Sequence, residues 1–307
     1  MDKAVPREGC KICDSADVSV IQNLSAKSLT SAWKNNLGLD VSSLFENIEK
    51  IEVKECSKCH LIYFLPDFYP SSDWIYSELQ KFDWYYMPKK WEYQMALMDM
   101  KASRKILEIG CGAGHFLKEA QEKLGAMAVG IELNEGVVKQ SQRQRLDTYF
   151  MDIEEAASLW PKEFDAVCSF QVLEHVNNPK LFLLKAIELL RPGGKLIIGT
   201  PNADSFLKHQ FNVLDMPPHH LTRWNSRVMS NLPNSLPLAL QRIKEEPLAT
   251  YHVRDYLESH CAVTRESSSI RKLCSSRLLN IFVMVFIHSR IHRLLKGHSL
   301  YACFARI

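Results

Sequence analysis

The chain has 307 residues, of which 46% are hydrophobic and 24% are charged, and its formal net charge is +3. This length allows one large or two modest domains of ordinary globular composition, and the small net charge argues against wholesale binding to nucleic acid. No run reaches the 18 apolar residues of a membrane-spanning helix, and the N-terminus lacks the apolar core of a secretory signal. The number of cysteines is odd, which is unusual for a protein held together by disulfides. We therefore expect a cytoplasmic protein.

Two Cys-x-x-Cys pairs stand near the N-terminus. Cys10 and Cys13 form the first pair, and Cys56 and Cys59 form the second. A pair of thiolates at this spacing can occupy two corners of a tetrahedral zinc site, so two pairs complete a closed Cys₄ site. We therefore predict a zinc-ribbon-like module over residues 1–66, in which the metal is structural. The alternatives are two coincidental pairs or a redox motif.

Residues 67–103 are rich in aromatic side chains and connect this module to the rest of the chain. Tyr85 and Tyr86 stand just before a predicted helix, Lys89–Lys101. Most of these aromatic residues should pack in the core. An aromatic wall also attracts cationic ligands through its ring faces, so we expect part of this segment to act as a lid.

The most informative motif is Leu107–Phe116, which reads LEIGCGAGHF. An apolar run breaks into three glycines at alternate positions, Gly110, Gly112 and Gly114, and a helical pattern follows. The motif predicts a buried strand, a tight turn and a helix N-terminus, where glycine allows a ligand to approach the backbone closely. The spacing is not the G-x-G-x-x-G of dinucleotide folds, and the Gly-Lys-Ser/Thr ending of a P-loop is absent.

Further apolar runs follow at regular intervals and alternate with helical patterns. Two of them carry acids, Glu132 and Asp152, at or near their ends. This alternation predicts an α/β fold with a doubly wound, mostly parallel seven-stranded sheet, on which ligands bind beyond the carboxyl ends of the strands. The predicted strands are Ala128–Leu133, Tyr149–Ile153, Phe164–Phe170 and Lys195–Thr200, and the predicted helix Pro179–Leu190 is stopped by the Arg-Pro-Gly-Gly run at 191–194.

The C-terminal third adds an insertion to this pattern. Leu240–Thr250 and Leu300–Ile307 are predicted as the sixth and seventh strands, with Gly297 as the turn before the last. The region 253–296 between them is basic, and Leu278–Ile287 is apolar nearly all round. We expect either a helix packed on the enzyme or on a homodimer partner, or an interfacial helix in which residues 271–296 contact an anionic membrane.

Taken together, the motifs resemble the class I S-adenosylmethionine-dependent methyltransferases over about residues 104–202. LEIGCGAGHF is similar to the first motif of the family, GIEL to its ribose-binding acid, and MDI to its adenine-contacting acid. The resemblance implies a methyltransferase domain over 104–307 that uses S-adenosylmethionine, with the aromatic segment folded over the sulfonium. The cofactor-binding residues that it implies are Glu108, Gly110, Cys111, Gly112, Gly114, Glu132, Leu133, Asp152, Ile153, Phe170 and Gln171.

The zinc module and the run PPHHLTRW resemble a bacterial subgroup that methylates sugars or other small metabolites. In that subgroup the run marks a loop over the acceptor pocket, so His219 and His220 are candidate proton acceptors. Glu174 and His175, just past the fourth strand, form the other candidate pair. Quinone-biosynthesis O-methyltransferases are similar through VLEHV, but they tend to carry a metal-binding Glu where this chain has Gln171.

The sequence therefore predicts an S-adenosylmethionine-dependent enzyme that methylates oxygen, nitrogen or carbon of a small, saccharide-like acceptor. One alternative is a quinone- or lipid-type O-methyltransferase at a membrane surface. An alternative from another class is a non-catalytic zinc-ribbon binding protein. Nucleic acid is not expected as a substrate, because positive charge is confined to the tail and no base-gripping Asn-Pro-Pro-Tyr-type motif is present.

Overall fold

The computed structural model describes residues 9–68, 73–82, 87–209, 211–257 and 277–307, without the side chains of residues 73, 207, 209 and 277–282. These residues form two sheets, one of four strands and one of seven. The smaller sheet belongs mainly to the N-terminal part of the chain, and the larger sheet to the part that carries the glycine motif.

The central sheet has the strand order β10-β11-β8-β7-β4-β5-β6. Strands β4 to β8 pair in parallel, whereas β11 is antiparallel to both of its neighbours. The predicted doubly wound, mostly parallel seven-stranded sheet is confirmed. Its strands are β4 (Lys105–Ile109), β5 (Met127–Glu132), β6 (Asp147–Phe150), β7 (Phe164–Phe170), β8 (Leu190–Pro201), β10 (Leu238–Pro247) and β11 (Lys296–Arg306).

The sequence explains how the middle of this sheet is covered. All seven residues of β7 are buried, as expected for a central parallel strand with helices on both faces. Helices begin at clear caps, for example Asn134 and Asn178, whose side chains accept backbone N–H bonds. The helices of this part are α3 (Trp91–Asp99), α4 (His115–Leu124), α5 (Glu135–Arg143), α6 (Ile153–Leu159), α7 (Pro179–Leu189) and α8 (Ser226–Asn231).

Three details of the predicted elements are wrong. The third strand ends at Phe150, and Asp152 is the N-cap of α6, because its carboxylate accepts the N–H of Glu155. The Arg-Pro-Gly-Gly run does not separate helix from strand but lies inside β8. Gly297 also lies within a strand, where a Cβ would stand 2.8 Å from the carbonyl oxygen of Glu246, so close strand packing requires the glycine.

The four-stranded sheet is antiparallel and has the order β1-β2-β3-β9. Its helix α1 (Ala26–Leu37) ends at Gly38, which has a φ of 72°. The last strand comes from the loop that carries the two adjacent histidines, not from the N-terminal part of the chain. The N-terminal sheet thus fixes that loop. The strands are β1 (Val18–Ser25), β2 (Lys50–Cys56), β3 (Ile62–Leu65) and β9 (Thr222–Arg223).

The N-terminal part packs closely on the part that contains the seven-stranded sheet. The side chains around the four clustered cysteines belong to the same hydrophobic core as β4, β7 and α7. Lys180 of α7 forms an ion pair with Asp14. On the other side of the small sheet, the indole Nε1 of the buried Trp33 donates to the carbonyl oxygen of Pro217 at 3.0 Å. The boundaries 1–66, 67–103 and 104–307 stay predictions, although β9 ties the third segment to the first.

Two helices lie outside these layers, α2 (Asp73–Leu79) and α9 (Arg277–His288). The latter corresponds to the apolar run of the predicted insertion, and its Met284 and Val285 are exposed. Residues 258–276, which include Arg271 and Lys272 of the predicted membrane-contacting segment, lie outside the described residues. Within the described ranges, no helix combines the length and hydropathy needed to cross a bilayer. Membrane contact and a homodimer both stay predictions.

Candidate functional site

A cavity of about 1530 Å³ runs along the carboxyl ends of the central strands. At one end lies the glycine motif, and at the other lie the two predicted pairs of acceptor residues. Of the eleven predicted cofactor residues, nine line this cavity; the other two are Glu108 and Gly114. Gly114 shapes the turn, and Glu108 is buried next to it.

The glycine turn follows β4 and has positive φ at three positions. Gly110 has a φ of 72°, and a Cβ there would lie 2.4 Å from Cγ2 of Val172. Gly114 is the N-cap of α4, with a φ of 77°, and its Cβ would lie 2.3 Å from Leu146. Side chains are disfavoured at such angles and are excluded here by contact as well. Gly114 therefore packs the helix behind the turn instead of lining the cavity.

Glu108 lies under the turn and is fully buried. Burial raises its pKa well above the usual range, and its Oε2 has no hydrogen-bond partner among the residues that the structure describes. The carboxyl group is therefore buried at the end of β4, just before the glycines, although the sequence analysis counts Glu108 among the cofactor-binding residues. It does not reach the cavity.

Glu132 connects the end of β5 to the glycine turn. Its Oε2 accepts the N–H of Gly112 at 3.0 Å. Its Oε1 accepts the N–H groups of Leu133 at 2.8 Å and Asn134 at 3.1 Å. These three bonds hold the carboxylate at the rim of the cavity, where it can also accept hydroxyl groups of a ribose.

The remaining predicted cofactor residues lie on both sides of this rim. Asp152 and Ile153 stand at the start of α6 and line the cavity beyond Glu132. Phe170 ends β7 and packs edge-on against Tyr93, with ring centroids 5.1 Å apart. Gln171 has a φ of 60°, and its Nε2 donates to Oε1 of Glu92 at 2.7 Å. Trp91 and Tyr93 also line the cavity, whereas Tyr85 and Tyr86 of the predicted lid lie outside the described residues.

At the acceptor end, the structure brings the two predicted pairs together. The ring centroid of His175 lies 4.5 Å from that of His219 and 4.9 Å from that of His220. Nε2 of His175 lies 3.8 Å from Oε1 of Glu174. The first pair follows β7 through a short 3-10 helix, and the second pair is positioned by β9. The four side chains form one group, called here the histidine cluster.

Each histidine of the cluster is oriented by an oxygen atom at Nδ1. His175 donates from Nδ1 to the carbonyl oxygen of His219 at 2.7 Å, and His219 donates to that of Leu214 at 2.9 Å. Nδ1 of His220 lies 3.3 Å from Oδ1 of Asp215. A carbonyl oxygen can only accept, so the proton of His175 and of His219 is on Nδ1 and Nε2 is the electron-pair donor.

Burial sets the protonation of this cluster. It lowers the pKa of His175 to about 3 and that of His219 well below the usual value, so both rings are neutral. Burial also raises the pKa of Glu174 to about 7. Burial alone would raise the pKa of Asp215, but the hydrogen bond to His220 holds it below its usual value. The cluster thus combines neutral nitrogen bases with an ionised partner carboxylate.

Several residues that line the cavity are not among those predicted from the sequence. The ring of Tyr76 lies 5.7 Å from that of His175 and 6.0 Å from that of His219. Asp215 could have been found, because an acid five positions before a histidine is a natural partner for its ring. Glu246 and His298 carry no such signal, since only the pairing of β10 with β11 brings them to the cavity.

The four N-terminal cysteines form a compact cluster whose sulfur atoms lie within 4.8 Å of one another. Sγ atoms of Cys10 and Cys59 are 3.4 Å apart, and those of Cys13 and Cys56 are 3.5 Å apart. A tetrahedral zinc with bonds of about 2.3 Å places its sulfur atoms about 3.8 Å apart. Sγ of Cys10 and of Cys56 also accept backbone N–H bonds. The cluster therefore fits a zinc ion.

Comparison with known families agrees with this architecture. A family model described as "Methyltransferase domain" matches residues 84–239, about half of the chain. The chain belongs to this family and is an S-adenosylmethionine-dependent methyltransferase. The matched range contains the glycine turn, Glu132 and the whole histidine cluster.

Individual relatives give further similarity over shorter stretches. The chain is 37% identical over 107 residues to a protein named "Ubiquinone biosynthesis O-methyltransferase" from Dechloromonas aromatica, covering 33% of this chain and 46% of that protein. It is 34% identical over 121 residues to one of the same name from Xanthomonas oryzae, covering 38% of this chain and 50% of that protein. The chain thus spans about half the length of the curated relatives it matches.

Among solved structures, a SAM-dependent methyltransferase from Archaeoglobus fulgidus covers 70% of this chain and 94% of its own. Its TM-score is 0.45 and its sequence identity 19%. The fold of this chain is assigned from its own strand order and does not depend on this similarity.

Proposed function

We propose that this protein transfers the methyl group of S-adenosylmethionine to a hydroxyl oxygen of a small phenolic acceptor, a precursor of a quinone. The observation that carries the proposal is the similarity to proteins named ubiquinone biosynthesis O-methyltransferase, at 34–37% identity. The sequence analysis placed a saccharide acceptor first and a quinone-type acceptor second. The relatives favour the second, because a quinone ring acquires a methoxy group through a phenolic hydroxyl.

The walls of the cavity support an aromatic acceptor. Between Glu132 and the histidine cluster, the lining includes Tyr76, Phe170, Val172 and Phe182. Binding sites for small molecules are mainly apolar, with a few polar groups that fix orientation. A phenolic ring fits this pattern, with its hydroxyl directed at the histidine cluster.

The reaction is an in-line displacement at the sulfonium methyl group. The bond between sulfur and the methyl carbon breaks as the bond between that carbon and the acceptor oxygen forms. S-adenosylhomocysteine and an aryl methyl ether are the products, and the hydroxyl proton is released. The protein aligns donor and acceptor at contact distance and provides a group that takes the proton.

We place the proton transfer at the histidine cluster. The candidates are the four residues named from the sequence, Glu174, His175, His219 and His220. Glu174 is buried next to the histidines with no hydrogen-bond partner for its oxygens among the described residues, and His220 has Asp215 behind it. Glu174 and His220 are therefore the stronger candidates for the base. Burial lowers the pKa of His175 and His219, which makes these two rings weaker proton acceptors.

We also propose that Cys10, Cys13, Cys56 and Cys59 hold one structural zinc ion. The site is closed, with four protein ligands and no open position for a reactant. Its role is to fold the N-terminal sheet. That sheet in turn holds β9 and the loop of the histidine cluster.

The substrate proposal is tested by offering the purified protein a catechol-type phenol and a nucleotide sugar, each with S-adenosylmethionine labelled in its methyl group. We expect label in an aryl methyl ether and none in the sugar. His220→Ala should lose about 10²–10⁴ in rate, with unchanged affinity for S-adenosylhomocysteine. His288→Ala, on the exposed end of α9, is the matched control and should react like the wild type. Label in the sugar alone would refute the phenolic acceptor.

A further inference from the structure

The histidine cluster has a property that proton transfer alone does not require. One nitrogen from each of His175, His219 and His220 lies within 4.8 Å of the other two, although the rings come from two separate loops. His219 and His220 are 5% and 7% exposed.

The contacts behind the rings are those of metal-binding histidines. Such a histidine donates its other ring N–H to a carbonyl oxygen or a carboxylate, which fixes the tautomer and the ring orientation. His175 and His219 each donate to a backbone carbonyl oxygen, and His220 pairs with Asp215. All three rings are thereby held with Nε2 as the electron-pair donor.

Glu174 provides an independent observation. It is 1% exposed, and neither carboxylate oxygen has a hydrogen-bond partner among the residues that the structure describes. A buried carboxyl group without a partner is costly. Oε1 lies 3.8 Å from Nε2 of His175, which directs the carboxylate at the same point as the rings. A cation held by the three nitrogen atoms would place a positive charge next to this carboxylate without using it as a ligand.

We propose that the histidine cluster binds one divalent cation of the zinc class through His175, His219 and His220. Imidazole nitrogen suits zinc, cobalt and iron, whereas magnesium and calcium prefer oxygen ligands. Three protein ligands leave a fourth position open toward the cavity, as in catalytic zinc sites. This site is separate from the cysteine cluster, so the protein holds two metal ions of different chemistry.

The role of the cation rests on the proposed function. A cation held there would supply Lewis-acid chemistry: it would polarise the phenolic oxygen of the acceptor and favour loss of the hydroxyl proton. The proton passes to Glu174 and from there to solvent. The deprotonated oxygen then attacks the methyl carbon, and the sulfonium leaves as the neutral thioether, so charge and protons balance. His220 is a ligand in this arrangement, and Glu174 takes the proton.

The test uses cobalt as a probe on the full-length protein that already contains one equivalent of zinc. Because we propose that the cysteine cluster holds that zinc, we expect added cobalt to report on the histidine cluster. We expect one equivalent to bind with weak visible bands and without the intense sulfur-to-cobalt charge transfer of a cysteine site. His219→Ala should weaken binding at least tenfold, and the exposed His288→Ala should leave it unchanged.

Asp215→Asn gives a second test that preserves the size of the side chain. It keeps all three ligands but removes the carboxylate behind His220, so affinity for cobalt should fall about 10- to 100-fold. Absence of a second equivalent in the wild type would overturn the proposal, as would unchanged cobalt binding in His219→Ala. Neither S-adenosylmethionine nor an acceptor is present. The outcome of the cobalt titration therefore does not depend on the proposed function. If the protein binds cobalt but does not methylate phenols in the separate labelling assay, the proposed function is refuted and the metal site is supported.

Discussion

The contribution of Glu132 to cofactor binding can be worked out from its contacts. In Glu132→Gln, one carboxylate oxygen becomes an amide NH₂ group. The remaining oxygen can keep the bonds from Leu133 and Asn134, but the NH₂ group then faces the N–H of Gly112, donor against donor. The charged acceptor for the ribose hydroxyl groups is lost as well. A hydrogen bond to a charged group contributes about 1.5–3 kcal/mol, which is roughly 10- to 150-fold in affinity.

Isothermal titration calorimetry with S-adenosylhomocysteine measures this effect directly. Glu154→Gln is the matched control, because Glu154 is an exposed acid in the first turn of α6 and lies outside the cavity. The control should bind like the wild type. Both melting temperatures must be recorded, since the bond to Gly112 also shapes the turn. A dissociation constant for Glu132→Gln within about twofold of the wild type would refute the role of this carboxylate.

Three further changes test other parts of the structure. Gly110→Ala forces a side chain into the left-handed backbone conformation, which reduces the free energy of unfolding by about 1–2 kcal/mol before any clash. Calorimetry should therefore show a melting temperature lower by at least about 2 °C. An unchanged melting temperature would contradict the turn geometry. The Cys10→Ser/Cys56→Ser double variant should lose one equivalent of zinc by metal analysis, and full retention would refute the cysteine site. Trp33→Phe leaves the carbonyl oxygen of Pro217 without its indole donor, which costs about 1–3 kcal/mol of stability. Because this bond holds the loop of His219 and His220, kcat should fall while cofactor affinity stays constant. An unchanged kcat would show that Trp33 does not hold the loop.

Much of the fold could be predicted because its signals are local. The buried run Phe164–Phe170 and the glycine turn identify a central strand and its ligand end without any knowledge of distant contacts. The strand boundaries were less accurate. Asp152 was placed in a strand because an acid after an apolar run resembles a strand end, whereas its carboxylate caps a helix. Gly297 was assigned to a turn because close strand packing leaves no trace in a single sequence.

The sequence predicts two separate pairs of candidate residues, but it does not predict that the two pairs are in contact. Glu174 and His175 are adjacent in sequence, as are His219 and His220, but nothing local states that the pairs meet. Their contact depends on β9, a strand of two residues that joins the N-terminal sheet. Such a short strand has no periodicity to detect. From the sequence the two pairs are alternative candidates for the base, whereas in the structure they are neighbours in one cluster.

The central claim is that one cavity carries S-adenosylmethionine at Glu132 and presents a phenolic oxygen to the histidine cluster. A crystal structure of the protein with S-adenosylhomocysteine and a catechol-type phenol tests it most directly. We predict the ribose hydroxyl groups at Glu132, the thioether sulfur directed toward the acceptor, and the phenolic oxygen beside Glu174 and His220. A phenol bound away from these residues, or a cofactor outside the glycine turn, would contradict the account.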